Sequence, residues 1–90
     1  MARTLLWTRR ALGRLDEIAA FIAQDNPTRA TSFVRELREK MNTLREHQLG
    51  TPGRLYGTKE WVLHQNYVAV YRVKDGEVQI LTVLHTAQKR

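Results

Sequence analysis

The sequence predicts an α+β domain of order β-α-α-β-β-β, with a helical hairpin packed on one face of a mostly antiparallel sheet. Two observations predict it. Residues 67–73 and 78–85 are apolar on both faces and flank a short turn at residues 74–77, a pattern typical of two long strands inside a covered sheet. Two amphipathic segments that meet at Asn26-Pro27 precede these strands and predict the hairpin.

The first half of the chain is predicted to hold one strand and both helices. Residues 4–7 form a short strand, and Thr8 caps a first helix whose apolar residues fall at helical spacing over 11–22. The dipeptide Asn26-Pro27 starts a second helix, because Asn caps well and Pro at the first helical position needs no amide partner. Its apolar face covers 30–44. Few residues join the helices, so we expect them to pack antiparallel.

The second half is predicted to form the rest of the sheet. A loop is indicated by four chain-breaking residues, Gly50, Pro52, Gly53 and Gly57. A short strand follows over Glu60–Leu63, then a turn at Gln65-Asn66 and the two long strands, and residues 86–90 form a basic tail. We expect residues 1–90 to make one domain, because this length supports one modest core.

The composition points to an acidic partner. Lys and Arg number 15 against 9 Asp and Glu, a net charge of +6, and eleven of the cations are Arg. A small basic protein usually meets nucleic acid, a membrane surface or an acidic protein. Arg is suited to planar, two-pronged contacts with phosphate or carboxylate.

Several classes of protein are disfavoured by what the sequence lacks. There is no Cys, which excludes disulfides and thiolate metal sites. The three His residues have no metal-ligand spacing, so we predict no metal and no cofactor. No apolar run approaches the roughly 20 residues that cross a bilayer, and the first ten residues do not read as a signal peptide. We therefore expect a cytoplasmic protein without membrane contact.

The candidate site residues are cations outside the helices and one histidine. Arg72 is the only charge within an apolar strand; it should share a face with Val68 and Val70, and either binds a ligand or pairs with an acid such as Glu60. His85 ends the last strand beside the basic tail, where it could act as an acid or base on a phosphodiester. The predicted target-binding edge consists of Arg54, Lys59, Arg72, Lys89 and Arg90.

Short motifs follow one another along nearly the whole chain. They are Trp7-Thr8, Leu15-Asp16-Glu17-Ile18-Ala19, Asn26-Pro27 with Ala30 and Phe33, Pro52-Gly53-Arg54, Gly57-Thr58-Lys59-Glu60, Tyr67-Val68-Ala69-Val70-Tyr71-Arg72-Val73 and Val78-Gln79-Ile80-Leu81-Thr82-Val83-Leu84-His85. In this order and spacing they resemble toxins of the RelE/ParE superfamily, the toxic half of bacterial type II toxin–antitoxin modules. The resemblance implies the same α+β fold.

The resemblance implies one of two activities. RelE-type members cut messenger RNA in the ribosomal A site without a metal, whereas ParE-type members poison DNA gyrase and cut no RNA. This chain has Val68 where RelE has the Arg of a Tyr-Arg pair, Trp61 in place of its second alternating lysine, and Leu84-His85-Thr86-Ala87 in place of a Gly-Lys-Arg-Glu-like run. Since cleavage without a metal needs cations or an acid–base pair to stabilise developing charge, the chain looks closer to ParE-like members.

The favoured prediction is therefore a growth-inhibiting toxin of the plasmid-stabilisation kind, which poisons DNA gyrase and blocks replication. A cognate antitoxin, acidic in the tail that wraps the domain, would neutralise it in a hetero-oligomer. The alternative is a ribosome-dependent endoribonuclease that uses His85, Arg72, Lys59 and Arg54 on messenger RNA. A second alternative is a non-toxic, basic nucleic-acid-binding module.

Overall fold

The computed structural model describes residues 3–86, and it confirms the predicted fold class and the order of the main elements. The elements are β1 (Thr4–Trp7), α1 (Arg9–Ala23), α2 (Pro27–Asn42), a 3-10 turn (Thr43–Arg45), β2 (Thr51–Pro52), β3 (Lys59–His64), β4 (Tyr67–Lys74) and β5 (Glu77–His85). The two-residue strand β2 was not predicted from the sequence. It pairs with the start of β3 and anchors one end of the loop that joins these two strands.

Both predicted helix caps are confirmed. The Thr8 side chain accepts a hydrogen bond from the Ala11 amide at 3.2 Å, and the Asn26 side chain accepts one from the Arg29 amide at 3.0 Å. Each bond satisfies one of the free amides at a helix start. The Thr8 hydroxyl also donates to the carbonyl oxygens of Ile80 at 2.8 Å and Leu81 at 3.1 Å. The cap of α1 is therefore tied directly to the sheet.

The sheet has the strand order β1-β5-β4-β3-β2, with β1 parallel to β5 and the other neighbours antiparallel. Strand β1 lies beside only the first half of β5, from Glu77 to Ile80. Beyond that point Arg14 of α1 donates its Nε hydrogen to the Val83 carbonyl oxygen at 3.1 Å. The helix therefore covers the part of the β5 edge that β1 leaves unpaired.

The core lies between the helices and one face of the sheet. A bulge in β5 places Tyr71 opposite Ile80 but Val70 opposite Thr82, which leaves Leu81 as an extra residue. As a result Ile80 and Val83 both face the helices although they are three residues apart. The buried core cluster contains Ala11, Leu15, Ile18, Phe33, Leu37, Met41, Leu44, Leu63, Tyr67, Ala69, Tyr71, Val78, Ile80 and Val83.

The opposite side of the sheet, which we call the strand face, is only partly covered. Val68, Val70 and Thr82 are buried there, and the loop that contains Leu55 lies over part of this face. In contrast, Val62 on β3 is 63 % exposed and Leu55 is 69 % exposed. The helices thus cover most of one face, while the strand face keeps exposed apolar surface. No helix within residues 3–86 is long and apolar enough to cross a membrane.

Candidate functional site

Arg72 lies on the strand face with Val68 and Val70, as predicted from strand alternation. Its Nε donates to Gln79 Oε1 at 2.6 Å, and Gln79 Nε2 in turn donates to Glu77 Oε1 at 3.1 Å. The hydrogen-bond partner of Arg72 is therefore Gln79 on β5, rather than Glu60 on β3. Because Gln79 is a neutral amide, it orients the exposed guanidinium group without neutralising its charge.

Arg54 lies on the same face of the sheet, in the loop between β2 and β3. Its backbone amide donates to Glu60 Oε2 at 3.3 Å, and its exposed side chain borders a cleft whose floor includes Val70. Val70 is two positions from Arg72 on the same face of β4. The structure thus brings Arg54 and Arg72 to one side of the molecule, with Glu60 beside Arg54.

The predicted edge needs a correction at Lys59. In the sheet Lys59 lies directly opposite Tyr71, so its side chain is on the helix side and not on the strand face. Its Nζ donates to the Gln48 carbonyl oxygen at 3.1 Å, where it helps to hold the segment after the 3-10 turn. Lys89 and Arg90 lie outside the described residues. Of the five predicted residues, Arg54 and Arg72 share a face, and Lys59 does not join them.

His85 is also on the helix side, at the other end of the sheet. It pairs with Tyr67 at the start of β4, and the two rings meet edge to face with centroids 5.1 Å apart. Arg72 is five positions further along β4, which corresponds to about 17 Å along the strand, and on the opposite face. The four residues of the nuclease alternative, His85, Arg72, Lys59 and Arg54, therefore do not surround one phosphodiester-sized space.

His85 instead borders a second cleft, which we call the His85 cleft. It has a volume of about 230 Å³ and is lined by Arg14, Glu17, Ile18, Phe21, Tyr67 and His85. Arg14 and Glu17 form an ion pair at 2.9 Å on its wall, and Phe21 is 69 % exposed. The rings of His64 and Tyr67 pack around Phe33 nearby, with centroids 5.1 and 5.6 Å from it. The His85 cleft was not predicted from the sequence. Phe21, an apolar residue beside the core face of α1, could have indicated an apolar surface there.

Tyr71, the residue with a strongly raised pKa, is not among the residues that line either cleft. Burial raises the pKa of Tyr71 to about 12, and its hydroxyl donates to the Leu49 carbonyl oxygen, so Tyr71 is a neutral structural residue. Among residues 3–86, no group of three His, Asp or Glu side chains lies close enough to hold a metal ion. What the strand face does offer is two exposed guanidinium groups beside apolar surface.

A family model described as the ParE toxin of the type II toxin–antitoxin system parDE matches residues 5–90. The chain belongs to this toxin family. The resemblance to RelE/ParE toxins is therefore confirmed, and the match covers almost the whole sequence. Family membership also sets aside the interpretation of the chain as a non-toxic nucleic-acid-binding module.

Two relatives agree with this assignment. The toxin is 40 % identical over 89 residues to Y4kP of Sinorhizobium fredii, a protein named as a toxin, with 97 % of this chain and 92 % of that protein covered. It is 34 % identical over 86 residues to the toxin RelE2 of Caulobacter vibrioides, with 93 % and 96 % covered. One of the two relatives thus carries a RelE name, although the matching family model is that of ParE toxins.

Solved structures support the fold in the same way. The toxin matches a chain of the chromosomal ParDE toxin–antitoxin system of P. aeruginosa with a TM-score of 0.86 at 28 % identity, covering 93 % of this chain and 96 % of that one. It matches a chain of the RelBE2 toxin–antitoxin complex of Mycobacterium tuberculosis with a TM-score of 0.63 at 25 % identity, covering 94 % and 99 %. The ParDE chain is the closer of these two in shape.

Proposed function

We propose that this toxin stops growth by binding and poisoning DNA gyrase rather than by cutting RNA. The observation that carries the proposal is the separation of His85 from Arg54 and Arg72. Both arginines are on the strand face whereas His85 is on the helix side, and Arg72 is also at the other end of the sheet. Phosphodiester cleavage without a metal requires an acid–base group and charge-stabilising cations around one reacting phosphate. The ParE family match and the higher TM-score to the ParDE chain support the same choice.

The target contact is assigned to the strand-face arginines, Arg54 and Arg72. Both side chains are exposed, and Gln79 orients the Arg72 guanidinium outward. Cations that share a face reinforce each other's field and speed encounter with an acidic surface. Lys89 and Arg90 are expected to extend this surface, and a contribution from Lys59 would have to come from the helix side.

A single expression experiment separates the two mechanisms. The toxin is induced in growing cells, and gyrase-linked DNA breaks and the DNA-damage response are measured beside the integrity of messenger RNA on ribosomes. We expect DNA breaks with intact messenger RNA, and we expect His85→Ala to remain toxic. Codon-phased cutting of messenger RNA that is abolished by His85→Ala would contradict the proposal and support the endoribonuclease, with its chemistry at the His85 cleft.

We propose that a cognate antitoxin with an acidic segment neutralises the toxin in the cytoplasm. The net charge of +6 and the exposed apolar side chains of Leu55 and Val62 support such a partner. Both structural matches reported above are toxin–antitoxin systems. The test is co-expression with the adjacent gene, followed by purification through a tag on the toxin. A stable complex and restored growth are expected, and continued toxicity without a complex would contradict this proposal.

A further inference from the structure

The His85 cleft has an exposed aromatic ring directly beside it. Phe21 of α1 forms part of the wall of the cleft, and 69 % of this residue is exposed. Leu12, the other exposed large apolar side chain of α1, is 40 % exposed and does not line the cleft. An exposed ring next to an apolar cavity forms a continuous apolar patch, and such patches usually mark a contact with another molecule.

The size and lining of the cleft suit a single aromatic side chain. Its volume of about 230 Å³ is below the roughly 300–1,000 Å³ that is typical of sites for drug-sized ligands. Its lining includes the rings of Tyr67 and His85, which meet edge to face, and the aliphatic side chain of Ile18. Aromatic rings pack favourably on one another in edge-to-face or offset arrangements, so a further ring can join this pair.

The charges at the cleft balance locally, in contrast to the net charge of +6 on the whole chain. Arg14 and Glu17 line the cleft as an ion pair at 2.9 Å. The Arg14 Nε also donates to the Val83 carbonyl oxygen, which fixes the position of the pair against the sheet. Two copies of a strongly basic chain repel each other where cations are clustered, as on the strand face, but this patch presents one cation together with one carboxylate.

We propose that this patch is a twofold interface between two copies of the toxin, in which Phe21 of each copy fills the His85 cleft of the other. A twofold interface uses the same surface on both copies, so a projecting side chain and the cavity that receives it must lie side by side. Phe21 and the cleft meet this condition. Arg14 and Glu17 do so as well, because the cation of each copy can face the carboxylate of the other.

The dimer leaves the proposed target surface accessible. The His85 cleft is on the helix side, whereas Arg54 and Arg72 are on the strand face. Each dimer therefore carries two strand faces, and a target with two suitable sites can be bound at both of them with increased avidity. The interface itself does not depend on which target the toxin binds.

Sedimentation velocity of the purified full-length toxin tests the interface over a roughly hundredfold range of concentration. We expect a monomer–dimer equilibrium for wild type, a dimerisation Kd at least roughly tenfold weaker for Phe21→Ala, and less than a roughly threefold change for Leu12→Ala. Leu12→Ala is the matched control, because it also removes an exposed apolar side chain from α1 but lies outside the cleft. Thermal melts confirm that each variant is folded. A wild type that stays monomeric, or a Phe21→Ala variant that dimerises as tightly as wild type, would overturn the proposal.

Photo-crosslinking identifies the contact without removing the aromatic ring. A photoreactive phenylalanine analogue replaces Phe21 or, as the control, Leu12, and isotopically labelled and unlabelled copies of each variant are mixed. Crosslinks that join a labelled to an unlabelled peptide come from different copies. We expect such crosslinks from position 21 to the segments around Tyr67 and His85, in excess of those from position 12. If position 21 gives no crosslink between copies, or crosslinks to an added antitoxin in place of a second copy, the interface is overturned.

Discussion

At the scale of single residues, the hydroxyl groups of Thr8 and Thr82 differ in their hydrogen bonding. The Thr8 hydroxyl accepts from the Ala11 amide and donates to the carbonyl oxygens of Ile80 and Leu81. The Thr82 hydroxyl is buried without a hydrogen-bond partner in the described part of the chain. A hydrogen bond stabilises the folded state modestly. A buried polar group without a partner destabilises it, because the group loses its bonds to water and gains none in the protein.

Replacing Thr82 by Val is therefore expected to stabilise the free toxin. Val has nearly the same shape and is also β-branched, so the strand packing is kept while the unpaired hydroxyl is removed. We expect the free energy of unfolding in urea to rise by about 1 kcal/mol. The control is Thr8→Val, which should lower it by about 1 kcal/mol or more, because a helix cap is lost. Equal destabilisation by both substitutions would show that the Thr82 hydroxyl is paired in solution.

Tyr71 should make stability depend on pH in the alkaline range. Burial raises its pKa to about 12, whereas a tyrosine in the unfolded chain titrates near pH 10. Between about pH 10 and 12 the unfolded chain therefore holds fewer protons than the folded one. The linkage relation then requires the free energy of unfolding to fall as pH rises through this window, and the full contribution is present below about pH 10.

The measurement uses tyrosinate absorbance and urea unfolding on wild type and Tyr71→Phe. Tyr56 and Tyr67 remain in both proteins and serve as the internal reference. In Tyr71→Phe the free energy of unfolding should fall less than in wild type between about pH 10 and 12. It should also lose about 1 kcal/mol at neutral pH, because the hydroxyl no longer donates to the Leu49 carbonyl oxygen. An identical pH dependence in both proteins would contradict the assignment.

At the scale of elements, the loop from residue 50 to 58 decides how much of the strand face is covered. It is held by internal hydrogen bonds, from the Gly53 amide to the Thr58 carbonyl oxygen at 2.8 Å and from the Thr58 hydroxyl to the Leu55 carbonyl oxygen at 2.6 Å. Gly50 and Gly57 both have positive φ, at 106° and 81°. The loop therefore depends on backbone conformations that other residues rarely adopt.

The two glycines differ in the space around them, which gives a matched pair of substitutions. A Cβ at Gly50 would lie 2.5 Å from the Glu60 carbonyl oxygen, whereas a Cβ at Gly57 would have nothing within 4 Å. Gly57→Ala should cost only the strain of a positive φ, about 1–2 kcal/mol. Gly50→Ala should cost about 1–3 kcal/mol more, because backbone atoms must move apart. Urea unfolding measures both, and equal losses would contradict this reading of the Gly50 contact.

At the scale of the whole molecule, the sheet separates two sets of functional candidates. The strand face carries Arg54 and Arg72 with an apolar cleft, and the helix side carries Lys59 and, at the other end of the sheet, His85. A group on one side cannot act on the same phosphate as a group on the other. The four residues named for the endoribonuclease alternative therefore do not meet at one phosphate.

Growth inhibition should therefore be sensitive to substitutions on the strand face. We expect Arg54→Ala with Arg72→Ala to lower toxicity at least roughly tenfold with an unchanged melting temperature, since exposed side chains contribute little to stability. Removal of Lys89 and Arg90 is expected to lower it as well. Lys74→Ala is the control, an exposed cation at the end of the same strand. Full toxicity of the double variant and of the truncation would contradict the assignment of the target contact to this surface. It would indicate the helical hairpin as the contact instead.

By itself the sequence determined what depends on neighbours in the chain. Helix caps at Thr8 and Asn26, the periodicity of both helices and the two long strands follow from local hydrogen bonding and from spacing along one element. The family could also be identified from short motifs in order. Strand alternation alone placed Arg72 beside Val68 and Val70, because these residues belong to one strand.

Only the tertiary structure decided what depends on pairing between distant segments. The register of β3 against β4 puts Lys59 opposite Tyr71 and so on the helix side, and the bulge at Leu81 sets which residues of β5 face the core. A shift of one position would reverse each assignment, and no local signal specifies it. The parallel position of β1 and the two clefts likewise arise from contacts between segments far apart in the chain, which act only once the sheet has formed.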